Sequence, residues 1–267
     1  MRTAAGTRVD NALYNRAGDI WWNDDEPLSM LRYLNPARFG YFRHVLDRLG
    51  IDPRGKRALD VGCGGGLLAE EFARLGCRVT GIDPSVPSLA TARAHAMQSS
   101  LDIDYRPGQG EDLPCADASF DIVYCCDVLE HVADVDRVMR EIARVLTVDG
   151  IFFFDTINRT WLSKLLMINL LQDWRLTSLA PPNLHDWAMF IRPPELRAML
   201  RRHGLRSREM VGLSPRGNPF PLLPALFHFK RGMISYGELA RRISTSMRVT
   251  VSKDRSISYA GYARKLR

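Results

Sequence analysis

The stretch LDVGCGGGLL, residues 59–68, decides the fold of this chain. Its first residues continue an apolar run typical of a buried strand, and an amphipathic helical pattern follows its last residues. Between them, Asp60, Gly62, Gly64 and Gly66 form the pattern D-x-G-x-G-x-G. Glycine permits a tight turn and a close approach of backbone to ligand, and the following helix N-terminus adds partial positive charge. The stretch therefore predicts a strand, a ligand-binding turn and a helix in succession.

Strand-like and helix-like patterns alternate from this motif to residue 158. The strand-like segments are KRALDV, CRVTGID, IDYRPG, FDIVYCCD and IFFFDTI, and the helix-like ones include LLAEEFARLG, SLATARAHAMQ and DVDRVMREIARVL. Strands that alternate with helices of this length predict a parallel sheet with helices on both faces. Residues 36–50 predict a further helix, with Pro36 in its first turn. Two later segments, SREMVGL and RSISYAGYARKL, predict an antiparallel hairpin at the sheet edge. The expected fold class is α/β, Rossmann-like, with a mostly parallel seven-stranded sheet.

The chain has 267 residues, of which 46% are hydrophobic, and this is enough for one large α/β domain. We expect a single domain over residues 1–267, because the second half caps the first. Its parts are an N-terminal lead-in and helix (1–50), a cofactor-binding core (51–158), a lid or membrane-facing insertion (159–190) and a C-terminal substrate-side half (191–267).

Charge and cysteine usage narrow the class of protein. A formal net charge of +7 suggests nucleic acid, an anionic membrane or an anionic small molecule as partner, although a basic surface alone would also produce it. None of the five cysteines forms a CxxC pair, which favours reduced thiols over a zinc ribbon. The first residues lack the apolar core of a secretory signal, and no apolar run reaches the ~20 residues of a membrane span. We therefore expect a cytoplasmic protein.

Two carboxylates indicate which cofactor the glycine turn holds. Asp60, directly before the glycines, suits the ammonium group of a methionine moiety and would repel a pyrophosphate. Asp83, at the end of the second strand, suits the two hydroxyls of a ribose. Because NAD also carries a ribose, Asp83 supports a nucleoside cofactor without choosing between the two.

The next segments extend this pattern. Gln109, Gly110 and Glu111 follow the third strand, where they would lie near an adenine edge, and the fourth strand runs into Cys126. This serial arrangement resembles the class I S-adenosylmethionine-dependent methyltransferases over residues 57–157. The resemblance implies S-adenosylmethionine as cofactor.

Segments outside this core resemble a narrower family, the ubiquinone-biosynthesis O-methyltransferases, which methylate hydroxyls of polyprenylated catechols. The resemblance spans roughly residues 13–215 and rests on WWNDD, LNPARFGYF, LDVGCGGGLLAE, VTGIDPS, DVLEHV, INRTWLSKLL and HDWAMFIRPPEL. It implies that Arg38, Gly62, Asp83 and Cys126 contact the cofactor, with Arg38 suited to its carboxylate. After Leu213 the sequence departs from the family, because the segment before its last strand is longer than usual. The resemblance therefore predicts the reaction better than the substrate.

The segment DVLEH carries the candidate catalytic groups. Asp127, Glu130 and His131 are spaced i, i+3 and i+4, which on a helix or tight turn places them on one face. Such a set could hold a divalent cation with open positions for two catechol oxygens, and the family resemblance implies that it binds magnesium. Alternatively His131 acts directly as a general base, with Glu130 beside it, or the segment only begins a helix. His185 and Asp186 form a second candidate pair.

The segment RTWLSKLLMINLLQDWRL, residues 159–176, has tryptophans near its ends and basic residues at its edges. This composition is typical of a helix that lies in a membrane interface, and we expect peripheral membrane contact through residues 159–180. A lid that packs over the substrate pocket would have a similar composition.

The sequence is compatible with other functions. The alternative within the enzyme class is O-, N- or C-methylation of another small-molecule natural product. A nucleic-acid enzyme is disfavoured because the sequence has no RNA-binding module and no amino-group motif after the fourth strand. The intact glycines, Asp60 and Asp83 disfavour a scaffold that has lost catalysis.

Overall fold

The computed structural model describes residues 11–16 and 21–266, and within them eight strands form one sheet. Expectations for residues 1–10, 17–20 and 267 lie outside this part of the chain. The strands are β1 (Arg57–Val61), β2 (Arg78–Asp83), β3 (Ile103–Pro107), β4 (Phe120–Cys125), β5 (Leu146–Ile157), β6 (Leu205–Gly217), β7 (Met247–Ser252) and β8 (Ser258–Lys265).

The strand order in the sheet is β3-β2-β1-β4-β5-β8-β6-β7. The first five strands pair in parallel, and β8, β6 and β7 continue the sheet with antiparallel pairs. The direction of strand order reverses between β1 and β4, which leaves a crevice at their carboxyl ends. The predicted mostly parallel sheet with an antiparallel edge is confirmed.

The helices are α1 (Leu13–Arg16), α2 (Leu31–Arg48), α3 (Leu67–Arg74), α4 (Val86–Gln98), α5 (Val135–Val145), α6 (Trp161–Ser163), α7 (Pro193–Arg202), α8 (Leu222–Lys230) and α9 (Tyr236–Ser246). Short 3₁₀ turns lie at Pro27–Met30 and Trp187–Met189, and a π-helical segment continues α6 over Lys164–Asp173. Pro36 was predicted to lie in the first turn of a helix, but α2 begins at Leu31 and contains the proline in its interior. No helix in residues 11–16 and 21–266 has the length and apolar character that crossing a bilayer requires.

Alternating side chains of the central strands bury two cores, one on each face of the sheet. Ile151 and Phe153 pack with α2, α3 and α4 on one face, where Phe42 and Phe72 are fully buried. The neighbouring residues on β5, Phe152 and Phe154, pack with α5 and α7 on the other face. Strands buried on both sides contain continuous apolar runs, which is why IFFFDTI identifies β5 from sequence.

The predicted count of seven strands is wrong, since β7 adds an eighth. β6 extends to Gly217, and it pairs with β7 from Gly212 onward. Side chains of β7 alternate between partly buried and exposed, and none is fully buried. An edge strand with so little apolar burial leaves a weak pattern in the sequence.

Candidate active site

A cavity of about 650 Å³ opens at the carboxyl ends of β1 and β4, where the strand order reverses. It is lined by eight of the nine residues predicted to bind cofactor, which are Arg38, Asp60, Gly62, Asp83, Gln109, Gly110, Glu111 and Cys126. The predicted catalytic residues Glu130 and His131 line the same cavity, as does Asp127. Residues drawn from five separate stretches of sequence therefore meet at one site.

The glycine turn runs under one end of the cavity. Gly62 has a φ of 76°, and a Cβ there would lie 2.3 Å from a methyl carbon of Val128. Both the backbone conformation and the packing therefore require glycine. Gly64, the ninth predicted cofactor residue, does not line the cavity, because the ring of Trp21 packs against it. Its amide donates a hydrogen bond to Asp83 at 2.9 Å.

The Asp83 carboxylate is fixed by two backbone amides. Gly64 N–H binds one oxygen and Ser85 N–H binds the other at 2.8 Å. A carboxylate accepts about four hydrogen bonds, so each oxygen retains acceptor capacity toward the cavity. This geometry fits the predicted bond to two ribose hydroxyls.

Asp60 is 3% exposed and its Oδ2 atom has no hydrogen-bond partner in the structure. Burial raises the pKa of this carboxyl well above its usual range, even though Arg38 lowers it. A buried oxygen without a partner costs free energy, and an ammonium group in the cavity would remove that cost. Asp60 thus fits the amino group of a methionine moiety.

The turn at Gln109–Glu111 is held against the loop that follows β4. Gln109 forms an isolated bridge with Asp112, and the Glu111 carboxylate accepts a hydrogen bond from Ala133 N–H at 3.2 Å. Gly110 packs between side chains of β1 and α5. The turn borders the cavity as predicted, while contact with an adenine stays a prediction.

Arg38 has a different set of partners from the one expected. Its guanidinium donates to the carboxylates of Asp127 and Asp155 and to the amide oxygen of Asn35. Burial disfavours the charged guanidinium, but the two carboxylates more than compensate and hold the pKa of Arg38 well above its ordinary value. Asp127 adopts a φ of 54° and its amide donates to Asp155 at 2.8 Å. The arginine therefore fixes the loop after β4, and contact with a cofactor carboxylate stays a prediction.

Glu130 is buried at the floor of the cavity, with 1% of its surface exposed. It accepts a hydrogen bond from the Thr156 hydroxyl at 2.7 Å. Burial, together with the nearby charge of Asp127, raises the pKa of Glu130 to about 8. A carboxylate with such a pKa is a stronger base than an exposed one.

His131 and His185 face each other in the cavity with their ring centroids 5.1 Å apart. The Nδ1 atoms of both rings are buried and have no hydrogen-bond partner in the structure. Burial lowers the pKa of His131 to about 4 and that of His185 to about 3, so both rings are neutral near pH 7. The expected pairing of His185 with Asp186 is not formed, because Asp186 caps the turn at Trp187–Met189 instead.

The donor set at Asp127, Glu130 and His131 does not fit the magnesium site that the resemblance implies. No group of three His, Cys, Asp or Glu side chains suited to a metal ion occurs in the part of the chain that the structure describes. The segment forms an irregular turn, in which Asp127 is bound by Arg38 and Glu130 by Thr156. The three side chains line the same cavity, but Arg38 and Thr156 already bind the two carboxylates.

Sequence reasoning missed two groups of residues at the site. Tyr14 and Trp21, from the N-terminal lead-in, stack with centroids 5.8 Å apart and line the cavity beside the glycine turn. Asp155, at the end of β5, holds both Arg38 and the amide of Asp127. A signal for Asp155 was present, since an acidic residue in the apolar run IFFFDTI requires a buried partner.

Comparisons with known proteins identify the family of this chain. A family model described as a methyltransferase domain matches residues 59–154. The ubiquinone biosynthesis O-methyltransferase of Methylobacterium sp. (strain 4-46) is 37% identical over 226 residues, covering 80% of this chain and 89% of that protein. The protein of the same name from Methylocella silvestris is 42% identical over 219 residues, covering 76% and 84%.

Solved structures share the fold. An SAM-dependent methyltransferase from Aquifex aeolicus superposes with a TM-score of 0.56 at 14% identity, covering 90% of this chain and 99% of that one. Magnesium protoporphyrin IX methyltransferase from Synechocystis PCC 6803, solved with bound SAH, gives 0.54 at 17% identity, covering 83% and 79%. At these identities the likeness concerns the fold alone.

Proposed function

The chain belongs to the ubiquinone biosynthesis O-methyltransferases, and we propose that it methylates a ring hydroxyl of a catechol that carries a polyprenyl chain. It is an S-adenosylmethionine-dependent methyltransferase, as the sequence predicted. The observation that carries the proposal is that one cavity is lined by both the cofactor residues and Glu130, His131 and His185.

The cofactor end of the cavity orients the methyl donor. Asp60 would hold its ammonium group, and Asp83 its ribose hydroxyls, for which the structure leaves acceptor positions open. When bound, S-adenosylmethionine supplies a methyl group on a positively charged sulfur, which is already activated toward a nucleophile. The chain's own residues therefore need to align the acceptor oxygen and remove its proton.

We assign proton removal to Glu130, assisted by His131. Burial leaves Glu130 with the stronger basicity of the two, and Thr156 fixes the carboxylate in place. His131 and His185 remain neutral, so each ring offers one donor and one acceptor nitrogen to two adjacent ring oxygens. No step is routed through a metal at Asp127, Glu130 and His131, because Arg38 and Thr156 already bind the two carboxylates.

The segment 159–190 contributes apolar side chains to the cavity. Met167 and Leu184 line it, while Trp161, Leu162 and Leu165 are exposed on the outside at 76%, 42% and 44%. This arrangement supports the predicted peripheral membrane contact through residues 159–180, with a lid that covers an apolar ring on its inner side.

A matched pair of acceptors tests the proposal. The purified chain should methylate a short-chain catechol, and this rate should fall strongly in Glu130→Gln while binding of S-adenosylhomocysteine by calorimetry stays nearly unchanged. Glu71→Gln, which alters a partly exposed glutamate on α3, is the matched control and should keep the wild-type rate. A monophenol of the same size should react far more slowly, and equal rates for the two acceptors would contradict the catechol assignment.

A further inference from the structure

Gln172 is the one buried residue of the π-helical segment Lys164–Asp173, with 8% of its surface exposed. The apolar side chains of the same segment are partly or largely exposed, and Leu165 is 44% exposed. A helix that packed only through an apolar face would show the reverse pattern. π-helical turns are rare and occur frequently at functional sites. The burial of Gln172 therefore has a reason other than apolar packing.

The Gln172 side chain binds the backbone of His185 through both ends of its amide. Its Oε1 atom accepts a hydrogen bond from His185 N–H at 2.7 Å, and its Nε2 atom donates to the His185 carbonyl at 3.2 Å. Nε2 also donates to the Asp173 carboxylate at 3.1 Å. The amide thus pairs with the main chain of His185 as a neighbouring backbone would, and it fixes a loop position 13 residues further along the chain.

The ring of His185 lines the cavity from this fixed backbone position. It lies 5.1 Å from the ring of His131, and it meets the fully buried ring of Phe190 at 5.9 Å and 71°. Its Nδ1 atom is buried and has no hydrogen-bond partner in the part of the chain that the structure describes. A polar group of a bound molecule would satisfy this nitrogen. The place of the His185 backbone therefore decides where the nitrogen meets the acceptor.

The residues on either side of His185 have anchors of their own. Before it, the N–H groups of Leu179 and Ala180 both donate to the Leu171 carbonyl at 2.8 Å. After it, the Trp187 indole donates to the Thr160 carbonyl at 2.9 Å. Because these contacts do not involve Gln172, its replacement should move His185 locally and leave the rest of the loop attached.

We propose that Gln172 is a positioning residue for the methyl transfer, which holds the His185 ring where it binds an oxygen of the acceptor. The inference rests on the proposed function, in which His131 and His185 face two adjacent ring oxygens. Gln172 does not line the cavity, so its effect passes through His185. Reacting atoms must be closely aligned, and a displacement of about 1 Å caused by a distant replacement can lower the rate by about 100-fold.

A double-mutant cycle between Gln172 and His185 tests this inference. Gln172→Met keeps the length of the side chain and removes its hydrogen bonds, and it should lower kcat/KM for a short-chain catechol at least roughly tenfold. In the His185→Ala background the same replacement should change kcat/KM by less than about twofold, because the group that Gln172 positions is gone. Gln98→Met alters an exposed glutamine at the end of α4, and this matched control should keep the wild-type value.

Binding of S-adenosylhomocysteine by calorimetry should be equal in the wild type and in Gln172→Met, which also shows that the variant is folded. If it does not fold, Gln172→Glu takes its place in the cycle. This variant keeps the acceptor for His185 N–H and loses the donor to the carbonyl, so it should lower kcat/KM by a smaller factor. A wild-type kcat/KM in the Gln172 variant, or an equal loss with and without His185, would overturn the inference.

The proposed function has a separate outcome in this experiment. If the wild type does not methylate the catechol, the proposed function fails, and binding of the catechol to the complex with S-adenosylhomocysteine then tests Gln172 by itself. By calorimetry, the wild type should bind the catechol more tightly than Gln172→Met does. Equal affinities would overturn the inference about Gln172.

Discussion

Replacing Glu130 by glutamine should stabilise the free protein at alkaline pH while lowering its activity. Burial raises the pKa of Glu130 from 4.5 to about 8, so the folded chain holds a proton that the unfolded chain releases between these values. Stability of the wild type therefore falls as pH rises through this window and levels off above it. At about 1.4 kcal/mol for each tenfold change in proton affinity, the ionised carboxylate costs the fold up to about 5 kcal/mol.

The assay is urea denaturation of the wild type and of Glu130→Gln at about pH 5 and about pH 9, with tryptophan fluorescence as the signal of unfolding. The variant has no titrating group at this position. From about pH 5 to about pH 9, its free energy of unfolding should therefore rise by several kcal/mol relative to that of the wild type. Any constant cost of the buried amide appears at both pH values and cancels. Glu71→Gln should show no comparable shift. The reasoning would be refuted if the difference in unfolding free energy between Glu130→Gln and the wild type changed by less than about 0.5 kcal/mol across this pH range.

Three other predictions concern the cofactor and the base. Asp83→Ala should weaken binding of S-adenosylhomocysteine by about 1.5–3 kcal/mol through loss of the ribose contact, measured by calorimetry, and unchanged affinity would remove this assignment. If Glu130 is the base, kcat/KM should rise with pH up to about 8 and then level off, because the deprotonated carboxylate is the active form. A pH profile that is already flat above about pH 5 would favour His131 as the base instead. Gly64→Ala should displace Trp21, whose ring lies 2.4 Å from the added Cβ, and should thereby weaken cofactor binding in calorimetry. An intact affinity would show that the lead-in does not shape the site.

The sequence predicts the site best where a residue's role depends on residues close to it in the chain. The turn from Gly62 to Gly66 follows directly from local residue type, and Asp83 follows from its place at the end of a buried strand. Parallel pairing of β1 and β2 then places Val61 opposite Ile82. This register alone brings the glycine turn beside Asp83.

Contacts between distant segments could not be predicted in the same way. Arg38 and Asp155 are 117 residues apart, and nothing in the spacing of either shows that they share a buried ion pair. The same pairing explains why DVLEH forms an irregular turn and not the start of a helix, because Arg38 and Asp155 hold Asp127 in place. The position of the N-terminal lead-in over the glycine turn depends on the stacking of Tyr14 and Trp21 in three dimensions.

We propose that Glu130 and His131 face an acceptor hydroxyl at the end of the cofactor cavity. The most direct measurement is to incubate the purified chain with methyl-labelled S-adenosylmethionine and a prenylated catechol, and to locate the label by mass spectrometry and NMR. We predict one methyl ether on a ring hydroxyl, formed by the wild type and strongly reduced in Glu130→Gln. Label on a ring carbon, or no transfer to the catechol by a chain that binds S-adenosylhomocysteine, would contradict the account.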